Sequence, residues 1–276
     1  MRFLLVGDFH GKFPSKLKNK IKKEKFDYVI CTGDLANIDK IRKYIFKYWT
    51  TEVWWQAIGV KKARKIEKDS FDSGLKILNE LNKLRKKIYL IWGNADFYKD
   101  AFSKKENAIN PGYYEDRIKR LKNIILTDKK RKKIKDLEII GYGGYLDVTE
   151  FVKHPIDKDK RNQKIRLKRY RREENKLKKI FSGKKPKNFI FLIHYAPYKV
   201  MDKVKLKSSP MYGKYVGWEP YNKIIKKYKP SFVICGHMHE YKGTKRLGKS
   251  TIINPGSAFE SKAAILDTET KKIKFL

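Results

Sequence analysis

Nine short runs rich in Ile, Val, Phe and Tyr limit what this chain can fold into. They lie at Phe3–Val6, Tyr28–Cys31, Ile88–Trp92, Leu137–Ile140, Phe189–Ile193, Phe232–Cys235, Thr251–Ile253, Ala263–Leu266 and Ile273–Leu276. Apolar runs of this length predict buried strands. Between them the spacing of apolar residues becomes helical. Ile38, Ile41, Ile45 and Trp49 share one helix face, as do Phe71, Leu75, Leu78 and Leu81. Strands alternating with helices predict a layered α/β fold. In such folds the chemistry sits on loops at the carboxyl ends of strands.

Those ends are where the chain spends its histidines. Four of the five lie at or just after such ends, together with two aspartates and an asparagine. The stretches read Asp8-Phe9-His10, Gly33-Asp34, Gly93-Asn94-Ala95-Asp96, His194 and Gly236-His237-Met238-His239. Neutral imidazole and carboxylate are the donors that a pair of divalent ions requires. Asp8 and His10, two apart, can reach one ion. A carboxylate such as Asp34 can bridge two ions with its two oxygens, and the glycine before it lets the backbone turn toward them. Asn94 offers a neutral oxygen, which limits negative charge at a site that must accept phosphate. His237 and His239 flank Met238, so that one can serve each ion. Metal-dependent hydrolysis is the chemistry these residues predict.

Lys and Arg number 68 against 30 Asp and Glu, a formal charge of +38. Such an excess attracts polyanions, nucleic acid first. It equally fits a compositional bias, genomic or thermophilic, because it is spread along the whole chain; both readings stay open. Cys31 and Cys235 each lie in an apolar run and read as buried free thiols, which suits a reducing cytoplasm. No apolar stretch approaches the roughly 20 residues of a membrane span, and Phe3–Val6 is too short for a signal sequence. A cytoplasmic protein is expected.

Two segments break the regular pattern. Residues 127–136 read as a basic loop. Residues 158–187 hold 15 Lys and Arg against three acids, with Leu167, Tyr170, Leu177 and Phe181 at helical spacing. They predict an amphipathic basic helix inserted between strands. A solvated outer helix covering a sheet face is the preferred reading, and a surface for a phosphate backbone is the sharper alternative. With no linker in sight, one domain over 1–276 is expected, its insertion at about 150–187.

The order and spacing of these stretches resemble the calcineurin-like metallophosphoesterase superfamily, whose signature is Asp-X-His, Gly-Asp, Gly-Asn-His-Asp/Glu, a lone His after a strand, and Gly-His-X-His. The resemblance runs from residue 1 to about residue 260, and Ile253-Asn254-Pro255-Gly256-Ser257 is similar to the smaller archaeal and bacterial members. It implies a four-layer α/β/β/α sandwich of two mixed sheets flanked by helices. It also implies that Asp8, His10, Asp34 and His239 bind one ion, and Asp34, Asn94, His194 and His237 the other. Manganese is the first expectation, with Fe, Zn or Ni as alternatives. A hydroxide bridging the ions would hydrolyse a phosphomonoester or phosphodiester. A nuclease acting on DNA or RNA through the basic surface is the first rival. A non-catalytic metal-binding scaffold is the second, weakened because all seven ligand positions hold residues able to ligate.

One position departs from the family: Ala95 stands where many relatives carry a histidine that can protonate the leaving group. His154, before Pro155, is the one uncommitted histidine and reads as a surface residue, with a proton-donor role as the alternative. Asp96 is expected to orient a neighbouring ligand. Tyr48, Trp49, Trp54 and Trp55 read as core packing or a homodimer contact before base stacking. Gly143-Gly144 reads as a tight turn or as a close backbone approach to substrate.

Overall fold

The computed structural model describes residues 1–48, 52–154, 160–183, 186–209 and 211–276. Its strands are β1 (Arg2–Val6), β2 (Tyr28–Cys31), β3 (Lys87–Leu90), β4 (Ile124–Leu126), β5 (Lys130–Ile134), β6 (Leu137–Tyr142), β7 (Phe189–Ile193), β8 (Phe232–Ile234), β9 (Gly243–Leu247), β10 (Ser250–Asn254), β11 (Ala264–Asp267) and β12 (Ile273–Phe275). Its α-helices are α1 (Ser15–Lys22), α2 (Asp39–Lys47), α3 (Trp54–Ala57), α4 (Val60–Asn82), α5 (Tyr114–Ile118), α6 (Thr149–Lys153), α7 (Lys160–Ile180) and α8 (Glu219–Tyr228).

The strands form two six-stranded sheets, in the orders β12-β11-β1-β2-β3-β4 and β5-β6-β7-β8-β10-β9. In the first, β1 to β4 run parallel, β11 pairs antiparallel with β1, and β12 pairs antiparallel with β11. In the second, β6, β7, β8 and β10 run parallel between antiparallel edges β5 and β9. Side chains alternate across each strand, and both sides are apolar. Phe3 and Leu5 of β1 meet Ile190 and Leu192 of β7 and Ile139 of β6 in a core between the sheets. Leu4 and Val6 point outward onto Leu17 and Ile21 of α1 and Leu78 and Leu81 of α4. Phe189, Phe191 and Ile193 point the other way, onto Tyr170 and Leu177 of α7 and Tyr221 and Ile225 of α8. Helix, sheet, sheet and helix thus form the four layers that the resemblance implies.

The basic segment between β6 and β7 folds as α6 and α7. Tyr170, Leu177 and Phe181 are buried against the second sheet, whereas Leu167 stays 36% exposed. Packing follows the solvated-outer-helix reading. The loop expected over 127–136 is a misreading: Lys130–Ile134 is β5, paired antiparallel with β6. It is an edge strand, and an edge needs no apolar face and gains from charged side chains that discourage further pairing. Trp55 is buried against Ala63 and Ile109, and Trp54 stacks on Tyr44. Trp49 and Pro155 lie outside the described residues. Cys31 and Cys235 are buried free thiols.

Candidate metal centre

Parallel strands of both sheets deliver their carboxyl ends to one place. The turns after β1, β2 and β3 bring Asp8, His10, Asp34 and Asn94; those after β7 and β8 bring His194, His237 and His239. Each turn is tight enough that Asp8, His10, Asp34 and His237 adopt positive φ, at 54°, 44°, 54° and 65°. Non-glycine residues rarely hold that conformation, and strain of this kind gathers at functional sites. A Cβ on Gly93 would overlap the Asp34 carboxylate, and one on Gly236 would lie 2.5 Å from Asp8 Oδ2. Glycine is what lets these carboxylates turn inward.

The donor atoms fall into two groups, Asp8 with His10 and His239, and Asp34 with His194 and His237. Within each group one ligand atom per residue lies within 4.8 Å of the others. Asp34 faces both groups: Oδ1 is 3.5 Å from His194 Nε2, and Oδ2 is 3.9 Å from His10 Nε2. Asn94 Oδ1 sits 2.9 Å from His194 Nε2. His194 Nδ1 donates to the carbonyl of Thr32 at 2.8 Å, which turns Nε2 toward the Asn94 and Asp34 oxygens. His10 Nε2 and His239 Nε2 approach to 3.0 Å, and His10 Nδ1 is buried with no hydrogen-bond partner among the described residues. Lone pairs converging in a buried site are costly unless a cation lies between them. The donor set fits a pair of divalent ions.

The charged groups of the site act on one another. Burial raises the Asp8 carboxyl, but the hydrogen bond and charge of His239 outweigh it and hold Asp8 at about 2. Burial likewise opposes protonation of His239, and Asp8 overcomes it, so that ring rises above its ordinary value. Burial lowers His237 to about 3 and pushes His10 down as well. Neutral imidazole is the form that ligates.

Surrounding residues hold the donors in place. Asp96 accepts from the backbone nitrogens of Asp34 (2.9 Å), Leu35 (2.8 Å) and Gly93 (2.7 Å), the orienting role expected of it. Burial and the charge of Asp34 raise its carboxyl to about 7. The backbone of Ala95 donates to Asp34 Oδ1 at 2.9 Å. Ser257 Oγ donates to the Asp8 carbonyl and Asn254 Nδ2 to the Met238 carbonyl, which gives the Asn-Pro-Gly-Ser stretch its purpose. Gly143-Gly144 is a tight turn pinned to this region, with Gly144 N donating to the Trp92 carbonyl at 2.6 Å. His154 is exposed at the end of α6, and among the described residues no contact joins it to the seven donors.

Sequence reasoning missed several neighbours. Phe259 meets the rings of His10 and His239 at 5.7 and 5.5 Å, and Tyr195 lies 4.2 Å from the ring of His237. The charge of Arg42 on α2 reaches both His10 and His239. Only Tyr195, next to His194, could have been suspected from its place in the chain.

Comparisons with known proteins agree with this geometry. A family model described as calcineurin-like phosphoesterase matches residues 1–241. No curated protein matches the chain. Among solved structures, one 20% identical chain superposes with a TM-score of 0.68, covering 100% of this chain and 98% of its own. A phosphopantetheinyl hydrolase from Mycobacterium tuberculosis is 10% identical with a TM-score of 0.53, covering 99% of this chain and 95% of its own. A dimetal phosphatase from Danio rerio is also 10% identical, with a TM-score of 0.52 over 96% of this chain and 91% of its own. At such identities the likeness speaks for the fold alone. With the family model spanning all seven donor positions, the chain belongs to the calcineurin-like phosphoesterase family and is a hydrolase of phosphoester bonds.

Proposed function

We propose that Asp8, His10, Asp34 and His239 hold one divalent ion and Asp34, Asn94, His194 and His237 a second, and that the pair hydrolyses a phosphomonoester or phosphodiester. The observation that carries this reading is the Asp34 carboxylate, which turns one oxygen toward each ligand group. Two such ions, when bound, supply Lewis acidity for the phosphate oxygens and lower the pKa of water. Manganese suits the mixed imidazole, carboxylate and amide donors, as do Fe, Zn or Ni. Buried thiols at Cys31 and Cys235 fit a cytoplasmic setting.

The chain's own residues do the rest. Asn94 contributes an oxygen without charge, so the substrate dianion meets less repulsion. Phe259 and Tyr195 wall the histidines with aromatic surface. Arg42 adds positive charge beside the first group. Hydrolysis adds water to phosphorus and releases an alcohol, whose oxygen needs a proton. Ala95 cannot supply it, and it serves instead through its backbone, holding Asp34. Esters with acidic leaving groups should therefore react best.

A substrate panel in Mn2+, run beside Asp34→Asn, tests the proposal. Nitrophenyl esters should turn over faster than alkyl esters, and Asp34→Asn should lose more than about a hundredfold, the upper end of what loss of a mere ligand-orienting partner costs. Equal rates in the two proteins would overturn the assignment. The exposed face of α7, with Lys164, Lys168 and Arg171, favours a second reading, a nuclease. DNA and RNA neither bound at moderate salt nor cut would exclude it.

A further inference from the structure

We propose that Arg169, together with Tyr145, forms a subsite for a second phosphate on the substrate, at the rim beside Asp34, Asn94, His194 and His237. The inference rests on the phosphoesterase reading above and narrows its substrate class to phosphoesters that carry another phosphate.

Tyr145 is brought to the rim by topology. It leaves the carboxyl end of β6, the neighbour of β7, and β7 ends at His194. Gly144 N donates to the Trp92 carbonyl and Tyr145 N donates to the Tyr98 hydroxyl, both at 2.6 Å, which fixes this turn beside the one carrying Asn94. Tyr195 links the two places: its ring packs on His237, and its hydroxyl accepts a hydrogen bond from the backbone of Leu146, the residue after Tyr145. Yet Tyr145 itself remains 50% exposed, a large ring left facing solvent just past the carboxyl end of β6.

Arg169 lies over that ring, its guanidinium 5.9 Å from the centroid. Nε donates to Asp147 Oδ2 at 2.8 Å and Nη2 to Oδ1 at 3.0 Å, while the Asp147 side chain is 1% exposed. Arg166 shares the same carboxylate at 3.5 Å and packs on Phe151. One edge of the Arg169 fork is thus locked by a buried carboxylate. Among the described residues its bonds engage Nε and Nη2, which leaves Nη1 on a side chain 44% exposed. A guanidinium held rigid with an edge presented outward suits phosphate oxygens, and little entropy is lost when it binds. The exposed part of the Tyr145 ring can carry the group that links the two phosphates. Arg166 of the same helix bonds the Tyr145 side chain, which holds the ring in place beside Arg169.

The test compares thymidine 5′-(p-nitrophenyl phosphate) with the same ester bearing a 3′-phosphate, so that leaving group and scissile bond are constant. In the Mn2+-loaded protein the 3′-phosphate should raise kcat/KM about tenfold or more, mainly through KM, the scale of one charge-assisted contact. Arg169→Gln should bring the ratio of the two esters close to one. Arg169→Lys keeps Asp147 paired and should lower the ratio in part, and it serves if the glutamine variant does not fold. Lys179→Gln removes the same charge from the same helix and should leave the ratio as it is. A ratio near one in the native protein, its persistence in a folded Arg169→Gln, or an equal fall in Lys179→Gln would overturn the subsite. Should neither ester be cut, the phosphoesterase reading fails, and calorimetry still reads the arginine. Thymidine 3′,5′-bisphosphate binding more tightly than thymidine 5′-monophosphate, with the difference lost in Arg169→Gln, would uphold the subsite; equal binding would sink it.

Discussion

Asp34 and Asp96 show how much of a site depends on backbone. Asp34 turns inward because its φ is 54°, Gly93 leaves room for it, and Asp96 ties down its nitrogen together with those of Leu35 and Gly93. Asp96→Asn keeps the shape but gives up charge and acceptor capacity. It should weaken Mn2+ binding about 10- to 100-fold, the usual cost of losing a ligand-orienting partner. Competition with a chromophoric chelator measures this, and unchanged affinity would deny Asp96 the role. All seven donors could be read from the sequence because each follows an apolar run. Phe259 and Arg42 could not, since their contacts join distant segments and their residue types are common on any surface. Glu67 of α4 is a residue of another kind, buried beside Glu106, with burial first and that charge second pushing its carboxyl up to about 8. The folded chain then keeps a proton that the unfolded chain releases above about 4.5, so stability should fall as pH rises between those values and level off beyond. Glu67→Gln should remove that slope, with a gain on the order of a few kcal/mol at pH 8 and little at pH 4. Urea unfolding at both pH values checks it; an equal change at each would show that burial of charge is not the cause.

At the scale of elements, legibility followed burial. Strands covered on both faces, such as β1 and β7, must be apolar throughout and announce themselves. β4, β5 and β9 escaped notice, and all three are sheet edges. β5 reads Lys-Arg-Lys-Lys-Ile and is held by its hydrogen bonds to β6 and by Arg131 on Glu138, none of which leaves an apolar signature. The helix α7 stands between these cases. Among its charges runs a short apolar seam of Tyr170 and Leu177, continued by Phe181 just past its end, and that seam is what seats it on the second sheet. Leu177→Ala should therefore cost about 2–5 kcal/mol, as for other fully buried leucines, whereas Leu167→Ala should cost far less. Chemical denaturation of the two variants decides it, and similar losses would mean that α7 is held by its ion pairs.

For the whole molecule, the decisive fact is that neither sheet owns the site. Asp8, His10, Asp34 and Asn94 come from the first, and His194, His237 and His239 from the second. Each ligand group draws on both, so the sandwich must be assembled before an ion can be held, and ions in turn should stabilise the assembled form. The sequence shows the donors in order but not the pairing of sheets that joins them, because register and sheet order arise from contacts far apart in the chain. Titration of metal-free protein with Mn2+, followed by hydrolysis of bis(p-nitrophenyl) phosphate, tests the two-ion centre most directly. Activity should be absent without metal and reach its plateau at two ions per chain. Activity in the metal-free protein, or a plateau at a single ion, would contradict it.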